Sequence, residues 1–351
     1  MTWRECRLGD VMRLQRGHDL PADKRQDGEV PVVSSSGITG FHDEAKAQPP
    51  GVVTGRYGTL GEVYFLDRDY WPLNTALYVT DFKGNDPKFT AYFLKHVLKD
   101  YQSDKAAVPG VDRNVLHEIK VRAPDTPHQK RIARALSAYD DLIDNNRRRN
   151  KLLEDSVRLL FDEWFVRMRI PGHEAAVAMD GLPSGWSQTP LGSSVSLNYG
   201  KALKAEQRND DGDVPVYGSS GIVGTHDKAL APGPGIIVGR KGNVGSVYWC
   251  NRDFFAIDTV FFVNAATSDL YLYYALKNMH FMSTDVAVPG LNRDFACSRP
   301  LVSPAQEVRA RFLGVAGPVH AQIDKLTEMN QKLRAARDLL LPRLMSGALV
   351  I

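Results

Sequence analysis

The chain has 351 residues, 43% of them hydrophobic and 24% charged, with a formal net charge of +3. That composition fits a globular protein of two or more domains and excludes a fibrous or disordered chain, while so small a charge neither demands nor excludes a nucleic-acid partner. No apolar run approaches the roughly 20 residues of a membrane span, and the opening MTWRECRLGDVMRLQRG lacks the layout of a signal peptide. A cytoplasmic protein without membrane contact is therefore expected. Cys6, Cys250 and Cys297 are odd in number, widely spaced and outside any CxxC or Cys/His cluster, which predicts neither a disulfide framework nor a structural zinc site.

In chain order, residues 1–125 are rich in Gly, Pro, aromatic and β-branched residues in short runs, the pattern of an α+β module with many short strands. Residues 126–169 have almost no internal Gly or Pro and predict a long helix. Residues 170–185 read as a Pro- and Gly-containing linker. A second α+β module is predicted over 186–303, and a second long helix over 304–351, which Pro342 should kink or end early. The stretch after Leu344 is too short to promise a tail that ties the ends of the molecule together.

The two halves repeat one another. Residues 30–79 align without a gap onto 214–263, and about half of the paired residues are identical. The offset is 184 here, 183 earlier (Trp3/Trp186, Leu8/Leu191, Gly9/Gly192) and 180 later (Val108/Val288, Pro109/Pro289, Arg113/Arg293). A chain built from two copies of one module most simply serves a target that is itself bipartite.

Three matched segments carry chemical content. PGVVTGRYGTLGEVYF (50–65) and PGIIVGRKGNVGSVYW (234–249) place a GRxGxxG loop between two strand-like runs. Nucleotide-binding glycine loops open a helix, so this context argues against a cofactor site. Glycines that permit close approach, with Arg56, Tyr57 and Thr59 in one copy and Arg240, Lys241 and Asn243 in the other, suit a loop laid against a phosphate or a guanine edge. The bland alternative is a hairpin whose arginine pairs with Asp69 or Asp253.

AAVPGVDRN (106–114) and VAVPGLNRD (286–294) present Arg113 with Asn114, and Arg293 with Asn292. Arg and Asn can read guanine and adenine edges, and both also serve in turns and caps. The third pair, SSSGITGFHD (34–43) and GSSGIVGTHD (218–227), keeps Ser35 and Ser36, Ser219 and Ser220, and the dipeptides His42-Asp43 and His226-Asp227. A hydrolase is one reading of His, Asp and Ser together. Adjacent side chains on an extended segment point apart, and no GxSxG elbow is present, which favours polar contacts to a ligand or turn hydrogen bonds.

In the helices, Ile132, Leu136, Tyr139, Ile143, Asn146, Asn150, Leu153, Val157, Leu160 and Trp164 are spaced alternately four and three apart. At an offset of 180 they fall on Phe312, Ala316, Val319, Ile323, Leu326, Asn330, Leu333, Arg337, Leu340 and Leu344. This duplicated heptad seam predicts two helices packed on each other, which pseudo-two-fold symmetry makes antiparallel. Asn150 and Asn330 occupy the same seam position and are expected as a matched, register-fixing pair. About 35 residues at 1.5 Å each give a rod of roughly 50 Å with the modules at its ends. Leu160, Trp164, Phe165, Leu339 and Leu340 are expected as exposed, adhesive seam residues.

The order module–helix–module–helix resembles the specificity subunit of type I DNA restriction-modification systems. The VPVxxSSGIxGxHD, GRxGxxG and VPGxxR segments share that resemblance, as does the helix after APDTPHQKRIARAL, and together they span nearly the whole chain. The resemblance implies an α+β protein with two similar target recognition domains, separated by two long helices in an antiparallel coiled coil. Each domain would read one half of a split sequence in double-stranded DNA, and the helices would set the spacing and dock methyltransferase subunits, two of them. Such a chain is non-catalytic and holds no cofactor. S-adenosylmethionine, ATP and Mg would sit on the methyltransferase and restriction subunits, consistent with the lack of an NPPY-type, Walker A or nuclease carboxylate motif here. His128 precedes Gln129 where the family commonly has an acidic residue, and the second copy reads PAQEVRARF. The alternatives are a coiled-coil adaptor without DNA specificity and the hydrolase built on His42/Asp43 and His226/Asp227.

Overall fold

A computed structural model describes residues 2–57, 61–99, 110–172, 181–281 and 290–351. The chain divides into two compact units: unit 1 is Met1–Arg147 with Thr327–Ile351, and unit 2 is Arg148–Leu326. The units therefore cut through both long helices instead of following the contiguous parts of the sequence.

Unit 1 runs β1 (Trp3–Arg7), α1 (Leu8–Val11), β2 (Arg13–Arg16), β3 (Val30–Ser34), β4 (Gly37–His42), β5 (Gly51–Gly55) and β6 (Val63–Leu66). It continues through β7 (Trp71–Pro72), β8 (Ala76–Asp81), α2 (Pro87–Lys99), α3 (Arg113–Glu118), β9 (Lys120–Pro124) and the first part of α4 (Thr126–Phe161). Unit 2 takes the rest of α4, then β10 (Ser187–Pro190), β11 (Asn198–Tyr199), β12 (Val214–Gly218), β13 (Gly221–His226), β14 (Gly235–Gly239) and β15 (Val247–Cys250). It closes with β16 (Phe255–Ala256), β17 (Val260–Val263), α5 (Leu270–Lys277), α6 (Arg293–Ser298), β18 (Pro300–Ser303) and the first half of α7 (Gln306–Met345).

The topology is the same twice. In unit 1 an antiparallel sheet is ordered β2-β8-β5-β6, beside β4-β3-β7 and the pair β1-β9. In unit 2 the corresponding sheets are β11-β17-β14-β15, β13-β12-β16 and β10-β18. The sequence explains the central strand of each. GVVTG and GIIVG are buried along their whole length, as expected of a strand covered on both faces, and the one polar side chain, Thr54, donates its hydroxyl to the Glu62 carbonyl at 2.8 Å. Val52 joins the core under α2, with Phe89, Phe93, Ile132 and Leu136, whereas Val53 joins Tyr70 and Tyr78 on the opposite face. Ile236 and Val238 likewise face the large core of unit 2, and Ile237 faces Phe254 and Phe262.

The long helices obey the heptad reading. Within unit 1 they are antiparallel: Asp140 pairs with Arg337 and Asn146 with Asn330, so one number rises as the other falls. The ends of the seam also enter the module cores, Ile132 and Leu136 in unit 1 and Phe312 and Ala316 in unit 2. Four expectations need correction. The partner of Asn330 is Asn146, whose Nδ2 donates to Asn330 Oδ1 at 2.9 Å, one turn before Asn150. In an antiparallel pair, equivalent positions run away from one another along the two helices, so like heptad letters do not face. Pro342 does not end α7, which continues to Met345, where Ser346 N still donates to the Pro342 carbonyl at 3.0 Å. Trp164 and Phe165 are buried in the core of unit 2 against Tyr271 and Phe312, and Leu160 and Leu340 are partly covered; Leu339 alone of that set stands 66% exposed. The short tail does reach back, since Leu341, Leu344 and Met345 lie in the core of unit 1 and Gly347 abuts the Trp3 indole.

Each helix is fastened to its module by a different chemistry. Gln129 is buried: its Nε2 donates to Asn85 Oδ1 at 2.7 Å and to the Pro124 carbonyl at 2.9 Å, and its Oε1 accepts from Asp86 N at 3.0 Å. At the matching place in unit 2, Arg309 Nε donates to Asp269 Oδ2 at 2.8 Å. Asp86 and Asp269 are both N-terminal caps, of α2 and α5. The Gln of the PHQKRI segment is thus structural, joining helix to module.

Candidate nucleic-acid interface

In unit 1 an open cleft of about 590 Å³ is lined by Arg16, His18, Arg56, Leu77, Arg113 and Asn114, together with the acidic Asp19 and Asp112. Three segments bring these side chains together. The first is the end of β2, where Gly17 passes so close to the 72–73 backbone that a Cβ would sit 2.2 Å from the Leu73 carbonyl oxygen. No other residue fits there, and the passage turns Arg16 and His18 toward the cleft. Gly200 does the same in unit 2, 2.0 Å from the Ile257 oxygen, and places Tyr199 and Lys201.

The second segment is the glycine loop, which lies between antiparallel strands in both units as the sequence predicts. Its arginine is clamped by the backbone on either side. Arg56 N donates to the Thr75 carbonyl at 2.9 Å, and its own carbonyl accepts from Val111 N at 2.9 Å. Arg240 repeats this with the Thr259 carbonyl at 2.9 Å and Leu291 N at 2.8 Å. Neither arginine uses the pairing with Asp69 or Asp253: Arg56 lies over the Tyr57 ring, and Arg240 Nη1 donates to the Asp258 carbonyl at 3.3 Å while Asp253 accepts from Gly233 N. Thr59 lies outside the described residues. Lys241 and Asn243 are exposed at the loop surface of unit 2.

The third segment is the start of a short helix. Arg113 and Arg293 are the first residues of α3 and α6, held by the caps Asp112 and Asn292. Asn292 Oδ1 accepts from Asp294 N at 2.8 Å and Phe295 N at 3.1 Å, so its oxygen is committed to the helix. Asn114 has an exposed side chain in the cleft. In unit 2 both arginines meet on one ring: Arg240 Cζ is 5.1 Å and Arg293 Cζ 5.6 Å from the centroid of Tyr199.

The cleft of unit 1 sets three guanidinium groups, of Arg16, Arg56 and Arg113, against two carboxylates, of Asp19 and Asp112. Asp112 is spent on its cap and Asp19 accepts from Asn74 Nδ2. Among the described residues, Arg16, Arg56, Arg113, Arg240 and Arg293 form no ion pair with a carboxylate. Fixed guanidinium groups of this kind offer paired donors to phosphate or to guanine O6 and N7.

The serines and histidines play other parts. Ser219 is buried, and its carbonyl accepts from Ser246 Oγ at 2.6 Å and Tyr248 at 3.2 Å, tying the β12–β13 hairpin to the glycine loop. Ser35 is half-buried, while Ser36 and Ser220 are exposed; Ser36 Oγ lies 3.0 Å from Ser34 Oγ. His42 and Asp43 do meet, Nδ1 to Oδ1 at 3.0 Å, because β4 ends at His42 and the chain is no longer extended there. Yet His42 Nδ1 also accepts from Gln26 N, and the ring is buried against Trp71. In unit 2 Asp227 takes a bond from Asn209 instead, and His226 packs on Phe255. No nucleophile-base-carboxylate line forms at either place. Among the described residues no cluster of His, Cys, Asp or Glu is arranged to hold a metal ion, all three cysteines are free thiols, and no helix is long and apolar enough to cross a membrane.

Arg16, His18, Tyr199 and Lys201 were not singled out from the sequence, although RLQRGH and SLNYGK align at the 183-residue offset and share the glycine.

Two similar α+β units, each with a paired-arginine surface and joined by long helices, define a two-domain recognition scaffold. A family model for the type I restriction modification DNA specificity domain matches residues 1–155 and 183–294, and the chain belongs to that family, whose members are the non-catalytic specificity subunits. It is 24% identical over 292 residues to the type I restriction enzyme MjaIX specificity subunit of Methanocaldococcus jannaschii, covering 74% of this chain and 67% of that one. It is 27% identical over 230 residues to a putative type I specificity subunit, S.MpnORF638P, of Mycoplasma pneumoniae, covering 62% of this chain and 60% of that one. The crystal structure of a type I restriction-modification S subunit from M. genitalium superposes with a TM-score of 0.60 at 18% identity over 98% of this chain and 96% of that one, which bears out the fold.

Proposed function

We propose that each unit reads one half of a bipartite sequence in double-stranded DNA, through the cleft of Arg16, His18, Arg56, Arg113 and Asn114 in unit 1 and through Tyr199, Lys201, Arg240 and Arg293 in unit 2. One observation carries the reading: the same two arginines, one clamped in a glycine loop and one at a helix start, come together in both units without a carboxylate partner. Phosphate contacts position such a protein, and bidentate Arg–guanine pairs give it sequence preference. Because the modules repeat, the two half-sites should be related, inverted and separated by a non-specific gap set by α4 and α7.

The partners follow from the family. Two methyltransferase subunits dock on the helices, restriction subunits join them, and S-adenosylmethionine, ATP and Mg are held by those partners in the cytoplasm. Leu159 and Leu339 stand 57% and 66% exposed at equivalent places on the two helices, one apolar foothold for each methyltransferase subunit. The test is methyl transfer onto a random-sequence duplex library by the chain with a methyltransferase subunit, followed by sequencing of modified adenines. A split motif with two fixed halves is expected. Modification without a motif would leave the chain an adaptor.

A further inference from the structure

The loop arginine of each unit stacks on an aromatic ring, but the ring comes from a different segment. In unit 1, Arg56 Cζ lies 4.6 Å from the centroid of Tyr57, its own neighbour. In unit 2 that neighbour is Lys241, and Arg240 stacks instead on Tyr199 at 5.1 Å. By the repeat offsets, Tyr199 stands where unit 1 has Arg16, and Lys241 where unit 1 has Tyr57. Cation and aromatic have exchanged places between the end of β2 or β11 and the glycine loop.

Both rings are held by the fold while remaining accessible. Tyr57 is bridged to Gly110 and is 40% exposed; Tyr199 sits edge-on to Phe261 at 5.0 Å and is 50% exposed. A guanidinium seated on a fixed ring gives up rotamer freedom before any ligand arrives and keeps its edge donors available. The backbone of this arginine is clamped alike in both units, while its side chain is supported from a different side in each, with Phe261 at 5.6 Å and the Asp258 carbonyl adding to Tyr199 around Arg240.

We infer that the aromatic partner, Tyr57 in unit 1 and Tyr199 in unit 2, is the positioning residue that decides which base edge the shared arginine meets, making the two half-sites related but unequal. The inference rests on the proposed reading of DNA by these clefts. Its ligand chemistry is the pair of major-groove acceptors on guanine, O6 and N7.

The experiment transplants the arrangement of unit 1 into unit 2 with the double variant Tyr199→Arg, Lys241→Tyr in the full chain. The chain is assembled with a methyltransferase subunit and sampled on a random-sequence duplex library. The second half of the modified motif should move toward the first by about ten-fold in preference at one position, roughly the discrimination of one bidentate pair. The first half should be unchanged, which also shows that the variant is folded and assembled. Tyr199→Phe keeps the ring and should keep the motif. An unaltered second half in the double variant, where Arg240→Ala flattens it, overturns the positioning role. Even weakening across all sequences overturns it too and makes the stack a phosphate clamp. If Arg56→Ala and Arg240→Ala leave both halves untouched, the clefts do not read bases and the proposed function itself fails.

Discussion

Asn146 and Asn330 share a hydrogen bond of 2.9 Å in the buried seam of the long helices, and Asn330 Nδ2 reaches on to the Ile143 carbonyl at 3.3 Å. Each is under 5% exposed, so neither amide has water as an alternative partner. Asn330→Leu strands the Asn146 amide and should lower stability by about 1–3 kcal/mol in chemical denaturation. Leu at both positions should recover most of that loss, at the expense of a unique register. A double variant no better than the single one would show that the pair is not coupled.

His320 introduces a pH dependence. Its ring lies among Trp249, Tyr273 and Tyr274, with Nε2 2.9 Å from the Tyr274 hydroxyl, and Glu154 and Lys277 are its charged neighbours. Burial lowers its pKa to about 4; Glu154 raises it and Lys277 lowers it, both by less. The unfolded chain then binds the proton first, at the ordinary value of about 6.5, so stability is complete above that pH and declines as pH falls toward 4. The full decline is on the order of 3 kcal/mol. The stability gap between the native chain and His320→Gln, followed from pH 7 to pH 4, should change in favour of the variant. A constant gap refutes the assignment.

The two helix–module fastenings should answer differently to salt. Gln129→Leu leaves Asp86 N–H and Asn85 Oδ1 without their partner and should cost about 2–3 kcal/mol at any ionic strength. The Arg309–Asp269 pair is partly exposed, with side chains at 36% and 26%, so Arg309→Met should cost about 1 kcal/mol or less, shrinking further at high salt. Urea denaturation at low and high salt separates the two cases.

Removing seven residues from both α4 and α7 shortens each by about 10 Å, equivalent to about three base pairs at 3.4 Å each. The gap between motif halves should contract by that amount with the halves themselves retained. A gap of unchanged length would mean that the helices do not set the spacing.

Much of the fold was legible because the chain is written twice. Strand–GRxGxxG–strand identified a hairpin in both copies, and the four-three spacing from Ile132 to Trp164 identified the seam. What stayed hidden depends on contacts distant in sequence. Arg16 comes to line one cleft with Arg56, and Tyr199 comes under Arg240, because Gly17 and Gly200 pass against Leu73 and Ile257, which no local pattern announces. Their lack of identity also concealed them, since Arg and Tyr at one repeat position look like drift until each is seen in the cleft of its own loop arginine. Asn330 meets Asn146 and not its repeat equivalent: sequence symmetry shows which positions are equivalent and not which ones face. α7 contains Gly314, Gly317 and Pro318 yet runs unbroken from Gln306 to Met345, with Phe312, Ala316 and His320 buried along one side. Packing of that side outweighs the weak local propensity.

Unit 1 takes Thr327–Ile351 into a core otherwise made by Met1–Arg147, and Arg148–Leu326 is contiguous between them. During synthesis the second unit has all its residues before the first can close. A chain cut at residue 330 would therefore contain every residue of unit 2, but a unit 1 whose Ile132 and Leu136 lack Leu341 and Leu344. By the same token, a module exchanged between relatives as residues 1–147 inherits its final layer from whatever downstream sequence receives it.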